Sequence, residues 1–136
     1  MLFLLFLPIV AGALSTLLSG DLKMASSSPF QPPPYVFAIV WPILYLAMGY
    51  SAYRVSLKGP VPSVFFLQLF LNVIWPVLFT RVGVSAALVD ILLLDVAVLF
   101  TATQFYQIDR PASYLLIPYM LWLSFATFLN ATALPD

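Results

Sequence analysis

Long apolar stretches alternate with short polar ones along the chain, and charged side chains fall almost only between the apolar stretches. Residues 1–20 carry no charged side chain, and neither do residues 24–53, 59–80 or 111–135. The stretch 82–108 is broken only by Asp90 and Asp95. A helix needs roughly 20 apolar residues to cross a bilayer. The pattern therefore predicts five spans, near 2–19, 34–55, 62–80, 84–106 and 111–133. Short connections imply antiparallel neighbours, so the expected fold is all-α, a single membrane domain of five transmembrane helices over residues 1–136. The first stretch has no positive n-region, since its first charge is Asp21, so it is taken as a span and not as a cleaved leader.

The longest connection is 21–33, "DLKMASSSPFQPP", a Ser- and Pro-rich segment placed to act as a lid or as a plain solvated linker. Pro32, Pro33 and Pro34 stand directly before the second span. Proline is tolerated there because the first helical turn has unpaired N–H groups anyway. Arg54, Lys58 and Arg110 lie on one side of the predicted topology and Lys23 and Arg81 on the other, too even a split to orient the chain.

Composition supports the membrane class. The chain is 63% hydrophobic and 7% charged, and its mean hydropathy is +1.07. Five basic and five acidic residues cancel, so nucleic acid is not an expected partner. With no Cys and no His there are no disulfides, no thiol chemistry, no Ser–His catalysis and no metal site of the usual kinds. No catalytic set emerges from the residues that remain.

Several spans pair an aromatic ring with a small or amide residue on one face. Trp41, Tyr45, Gly49 and Tyr53 follow four-residue spacing in the second span, with Pro42 beside them. Gln68 and Asn72 do so in the third, with Trp75 and Phe79 continuing roughly the same face. Trp122, Ala126 and Asn130 do so in the fifth, with Tyr119 close by. Such faces suit either helix packing or a flat apolar ligand with polar edges. Ala11, Ser15 and Ser19, beside Gly12, Thr16 and Gly20, give the first span a small-residue face for contact within the bundle or between subunits. Asp95 lies near mid-membrane, where a carboxyl must face the interior, find a partner or stay protonated. A structural and a functional role are both open for it.

The stretches "FQPPPYVFAIVWPILYLAMGYSAYRV", "QLFLNVIWPVLF" and "YQIDRPASYLLIPYMLWLSFATFLN" resemble the translocator protein family, also called tryptophan-rich sensory proteins or peripheral benzodiazepine receptors. The resemblance implies a five-helix bundle, usually a homodimer, with a cavity beneath the first loop. It implies tetrapyrrole ligands such as protoporphyrin IX, sterols in animal members, and benzodiazepine-type drugs, in transport or stress sensing. Porphyrin would be a ligand, and no cofactor is required. Light-dependent porphyrin breakdown is the enzymatic alternative, and a purely structural membrane protein is another. By motif position, Trp41, Asn72, Trp75, Trp122, Phe125, Ala126 and Leu129 match cavity residues. Phe30 stands where many members have a loop Trp, and Phe105 where animal members have a cavity Trp. Tyr45 and Tyr119 join the candidate ligand-binding set from their faces, and Asp95 is kept beside it as an intramembrane carboxyl. The chain departs from the family at Ser27 and Ser28, where a Lys-Pro is common, and at Asp95, where bacterial members often have an uncharged residue.

Overall fold

Uninterrupted apolar runs with few turn signals become helices in lipid, because a helix satisfies its own backbone polar groups where no water is at hand. The computed structural model describes residues 2–19 and 34–133, and the lid-like segment 21–33 lies outside them. Among the described residues the fold is all-α. Helix α1 spans Phe3–Ser19, α2 Pro34–Ser56, α3 Ser63–Arg81, α4 Val84–Ile108, α5 Arg110–Tyr114 and α6 Ile117–Thr132.

Among the described residues three units are long and apolar enough to cross a membrane: α3, α4, and α5 with α6 taken together over Arg110–Thr132. Helix α1 is a shorter apolar helix. The protein is a multi-pass integral membrane bundle. Its outer surface agrees: Phe3, Phe6, Val10, Leu14 and Leu17 of α1, and Leu92, Val96, Leu99 and Phe100 of α4, are exposed. In water these rows would be a liability, whereas in a bilayer they form the face turned to lipid.

Helix α1 packs on α2 and α3, α3 on α4, α4 on α5 and α6, and α2 closes the ring against α5 and α6. The ring order is therefore α1, α2, α5/α6, α4, α3. The fifth apolar stretch is broken at Leu115–Leu116 instead of running as one helix. Pro118 accounts for the break, since it has no N–H to bond the Tyr114 carbonyl four residues back and sits in the first turn of α6, where a missing donor is tolerated. The link between α3 and α4 is only Val82–Gly83, and Gly83 takes φ +153°, a conformation that side chains rarely permit.

Prolines inside the helices have structural uses. Pro8 leaves the Leu4 carbonyl without its helical N–H, and α2 approaches there at Gly49. A Cβ on Gly49 would meet the carbonyl oxygens of Leu4 and Leu5. Gly12 of α1 is equally tight, with the ring of Tyr45 where its Cβ would be. Ser15, one turn on, donates to the Val73 carbonyl of α3 at 2.6 Å. The small residues Gly12 and Ser15 thus serve contact within the bundle.

The end of the bundle that carries the α2–α3 and α4–α5 links is tied by Asp109. Its carboxylate, 1% exposed, accepts from Arg54 Nε at 2.7 Å and Lys58 Nζ at 2.6 Å. It also caps α5 by accepting the Ala112 N–H at 3.1 Å. Hydrogen bonds from Arg54 and then Lys58 hold the Asp109 carboxyl well below the usual carboxylate range. A carboxyl depressed in the folded state stabilises above its unfolded value, and that contribution drains away as pH falls through the folded one. Thermal unfolding of the wild type in detergent should be flat in this respect from about pH 8 to about pH 4 and weaken below. Asp109→Asn should lack that acid limb. It should also be less stable at neutral pH by about 1–2 kcal/mol, from the lost charge-assisted bonds and the weakened cap. A variant with wild-type acid sensitivity would show that the cluster does not couple to folding.

Candidate functional site

An oriented chain of hydrogen bonds crosses the interior. Tyr45 Oη of α2 donates to Asn72 Oδ1 of α3 at 2.8 Å. Asn72 Nδ2 donates to Tyr119 Oη of α6 at 2.7 Å. Tyr119 Oη donates to Gln68 Oε1 at 2.9 Å, and Gln68 Nε2 reaches the Met48 sulfur at 3.4 Å. All five side chains are buried. Each hydroxyl hydrogen is used once and each amide points one way, so the chain has a single consistent direction. It is what joins α2, α3 and α6 across the middle of the ring.

The sequence dictates this meeting through spacing. Gln68 and Asn72 are one helical turn apart on α3, so both amides reach the same tyrosine. Tyr45 is admitted because Gly12 leaves room for its ring.

An aromatic group adjoins the chain on the side of the α2 N-terminus. Trp41 stacks on Tyr45 with centroids 5.5 Å apart and meets Trp122 edge-on at 6.1 Å. Trp122 in turn lies 5.4 Å from Phe125. Trp41, Trp122 and Phe125 are half-buried, whereas Ala126 and Leu129 behind them on α6 are buried. The result is an apolar aromatic wall beside a line of amide and phenol groups. Edge-to-face rings at these separations attract one another and present both faces and edges to a flat molecule.

A second polar link sits beside the first. Trp75 Nε1 donates to Asn130 Oδ1 at 2.8 Å, and Asn130 Nδ2 donates to the Val84 carbonyl at 3.1 Å. This joins α3, α6 and the start of α4, with the Trp75 ring tilted against Phe79.

Of the candidate residues, the structure brings together Trp41, Tyr45, Asn72, Tyr119, Trp122 and Phe125 by direct contact, with Trp75 one turn from Asn72. Phe105 does not join them. It is wholly buried and stacks on Phe65 at 5.8 Å. Phe65 precedes Trp75 by ten residues of α3, a rise of about 15 Å. Phe30 lies outside the described residues.

The carboxyls also divide differently from expectation. Asp95, singled out from the sequence, is half-buried and accepts from Thr127 Oγ1 of α6 at 2.7 Å. Asp90 is the deeper of the two, 4% exposed, and its Oδ2 has no hydrogen-bond partner among the described residues. Position along the membrane normal is legible in a sequence, but which side of α4 faces a neighbour is not. Gln68 was visible as half of an amide pair, and it proves to be the acceptor for Tyr119. Met48, at the end of the chain, had no sequence signal beyond being apolar. Among the described residues no group of His, Cys, Asp and Glu could hold a metal ion.

Residues 3–134 match the TspO/MBR family. The chain is 37% identical over 113 residues to the tryptophan-rich protein TspO of Chlorobaculum tepidum, a match covering 77% of this chain and 72% of that protein. It is 41% identical over 111 residues to the translocator protein of Bos taurus, covering 75% of this chain and 66% of that protein. It is 34% identical over 109 residues to the tryptophan-rich sensory protein of Cereibacter sphaeroides, covering 77% and 69%.

Proposed function

The chain belongs to the TspO/MBR family, as a membrane protein of the translocator and sensory kind, and on that premise we propose that it binds a flat, mostly apolar ligand of the tetrapyrrole class. Protoporphyrin IX is the type ligand, and a sterol or a benzodiazepine-type molecule is the alternative occupant of the same wall. The role is carriage or stress sensing. The observation that carries the reading is the aromatic group of Trp41, Trp122 and Phe125 beside the Tyr45–Asn72–Tyr119 chain. A porphyrin has the same division, with a flat apolar ring system and polar edges. In this reading Trp41 and Trp122 stack on the ligand, Ala126 and Leu129 back the wall, and Asn72 and the two tyrosines meet the polar edge. Pairing with a second copy belongs to the same proposal, and crosslinking in native-like membranes tests it.

Intrinsic Trp fluorescence in detergent, titrated with protoporphyrin IX and with cholesterol side by side, tests the ligand class. Trp122→Ala should weaken porphyrin binding by about tenfold, because an aromatic contact contributes about 0.5–1.5 kcal/mol beyond the area it covers. Quenching of the remaining Trp41 and Trp75 emission that is unchanged in the variant would remove Trp122 from the site. A saturable response to cholesterol alone would move the ligand class to sterols.

A further inference from the structure

We propose that the Arg54–Lys58–Asp109–Arg110 corner of the bundle seats the phosphate headgroup of an anionic phospholipid. Asp109 is fully engaged: Oδ1 accepts from Lys58 and Arg54 Nη2, and Oδ2 accepts from Arg54 Nε and the Ala112 N–H. One buried carboxylate therefore fixes two cations and neutralises only one. Both keep an outward face, with the Arg54 side chain 33% and the Lys58 side chain 55% exposed. Arg110 follows Asp109 directly and is exposed, and among the described residues it pairs with no carboxylate. The corner carries a net surplus of two positive charges, three cations less one carboxylate.

The surroundings favour a lipid over a free phosphate. The guanidinium of Arg54 lies 5.7 Å from the Tyr50 ring, and that of Arg110 lies 5.2 Å from the Tyr106 ring. Tyr106 meets Tyr114 edge-on at 6.2 Å. All three tyrosines are exposed, at the ends of helices whose outer faces are apolar. Rings with an apolar body and a polar tip sit at headgroup depth, so the cations beside them are held at the level of lipid phosphates. A lipid fits this corner with its chains along the apolar outer faces of the neighbouring α2 and α6, where Ile43, Leu46, Ile117 and Leu121 are exposed, and its phosphate between Lys58 and Arg110. Basic groups clustered between span ends are the chemistry that recognises anionic headgroups.

The test is electron spin resonance of the full chain in mixed bilayers, comparing spin-labelled phosphatidylglycerol with phosphatidylcholine at the protein surface. The wild type should retain phosphatidylglycerol preferentially. Lys58→Gln and Arg110→Gln should each lower that preference by about two- to fivefold, and the double variant should abolish it. Arg81→Gln, at the opposite end, should leave it unchanged. A preference that survives the double variant, or that Arg81→Gln lowers equally, overturns the proposal. Loss of the wild-type preference on adding millimolar inorganic phosphate would assign the corner to free phosphate and overturn the lipid assignment. Should the double variant not fold, salt decides on the wild type: a roughly tenfold rise in ionic strength must weaken the preference, and persistence overturns it.

Discussion

Replacing Asn72 by leucine is expected to destabilise the protein by about 2–3 kcal/mol and to abolish the proposed porphyrin site along with it. Asn72 is the central link of the interior chain, accepting from Tyr45 and donating to Tyr119. Its loss leaves the Tyr45 hydroxyl without its acceptor and removes one of the two partners of Tyr119. Interhelical bonds in membranes are individually modest, about 0.6–2 kcal/mol. Here two are lost at once, and two buried hydroxyls are left poorly satisfied. Reversible unfolding in mixed detergent checks the magnitude, and the porphyrin titration checks the coupling. Asn72→Asp separates polarity from shape, because it keeps the size and the acceptor while losing the amide donor to Tyr119. A leucine variant as stable as the wild type would show that the chain is not what joins α2, α3 and α6.

Gly49→Val is expected to cost about 3 kcal/mol, at the upper end for an overpacked contact. The added atoms would face the backbone oxygens of Leu4 and Leu5. A side chain in the way can rotate aside, but a helix backbone must move as a whole. Helix α1 must therefore draw back from α2, and Gly12 is carried away from the Tyr45 ring. Loss of α1 protection in hydrogen exchange, with α3 and α4 unchanged, is the expected signature. Unaltered exchange in α1 would mean that the two helices do not depend on this approach. Gly49→Ala should show the same effect to a smaller degree.

The two variants act on features of different legibility. Asn72 stood out in the sequence, as half of an amide pair one turn apart within an apolar run. Its partners did not, because a tyrosine in a membrane helix can point to the interface, to a neighbour or to the interior. Gly49 was visible only as part of a face shared with Trp41, Tyr45 and Tyr53. That α1 lies against it, at the Leu5 carbonyl and at the Leu4 carbonyl that Pro8 leaves without a helical partner, follows from the packing.

The carboxyls teach the same lesson. Depth in the membrane singles out Asp95, yet a threonine on α6 satisfies it, while Asp90 is buried more completely and one of its oxygens has no partner among the described residues. Five residues along a helix turn a side chain by well over a full turn. Small rotations of α4 therefore decide which carboxyl meets a neighbour. Phe105 shows the converse, since its motif position implied a cavity wall and the packing puts it in the core against Phe65. A motif assigns a position in the chain, whereas the local fit of rings decides what that position touches.

By itself, the sequence determined the membrane class, the helical runs and the family. Each is a one-dimensional property: hydropathy over about 20 residues forces a helix in lipid, and motif order survives any change of packing. Only the tertiary structure decided the break at Leu115–Leu116, the ring order of the helices, the direction of the Tyr45–Asn72–Tyr119–Gln68 chain and the Asp109 corner. These depend on rotation and approach between helices, which small residues such as Gly12 and Gly49 set at distances no single helix can register.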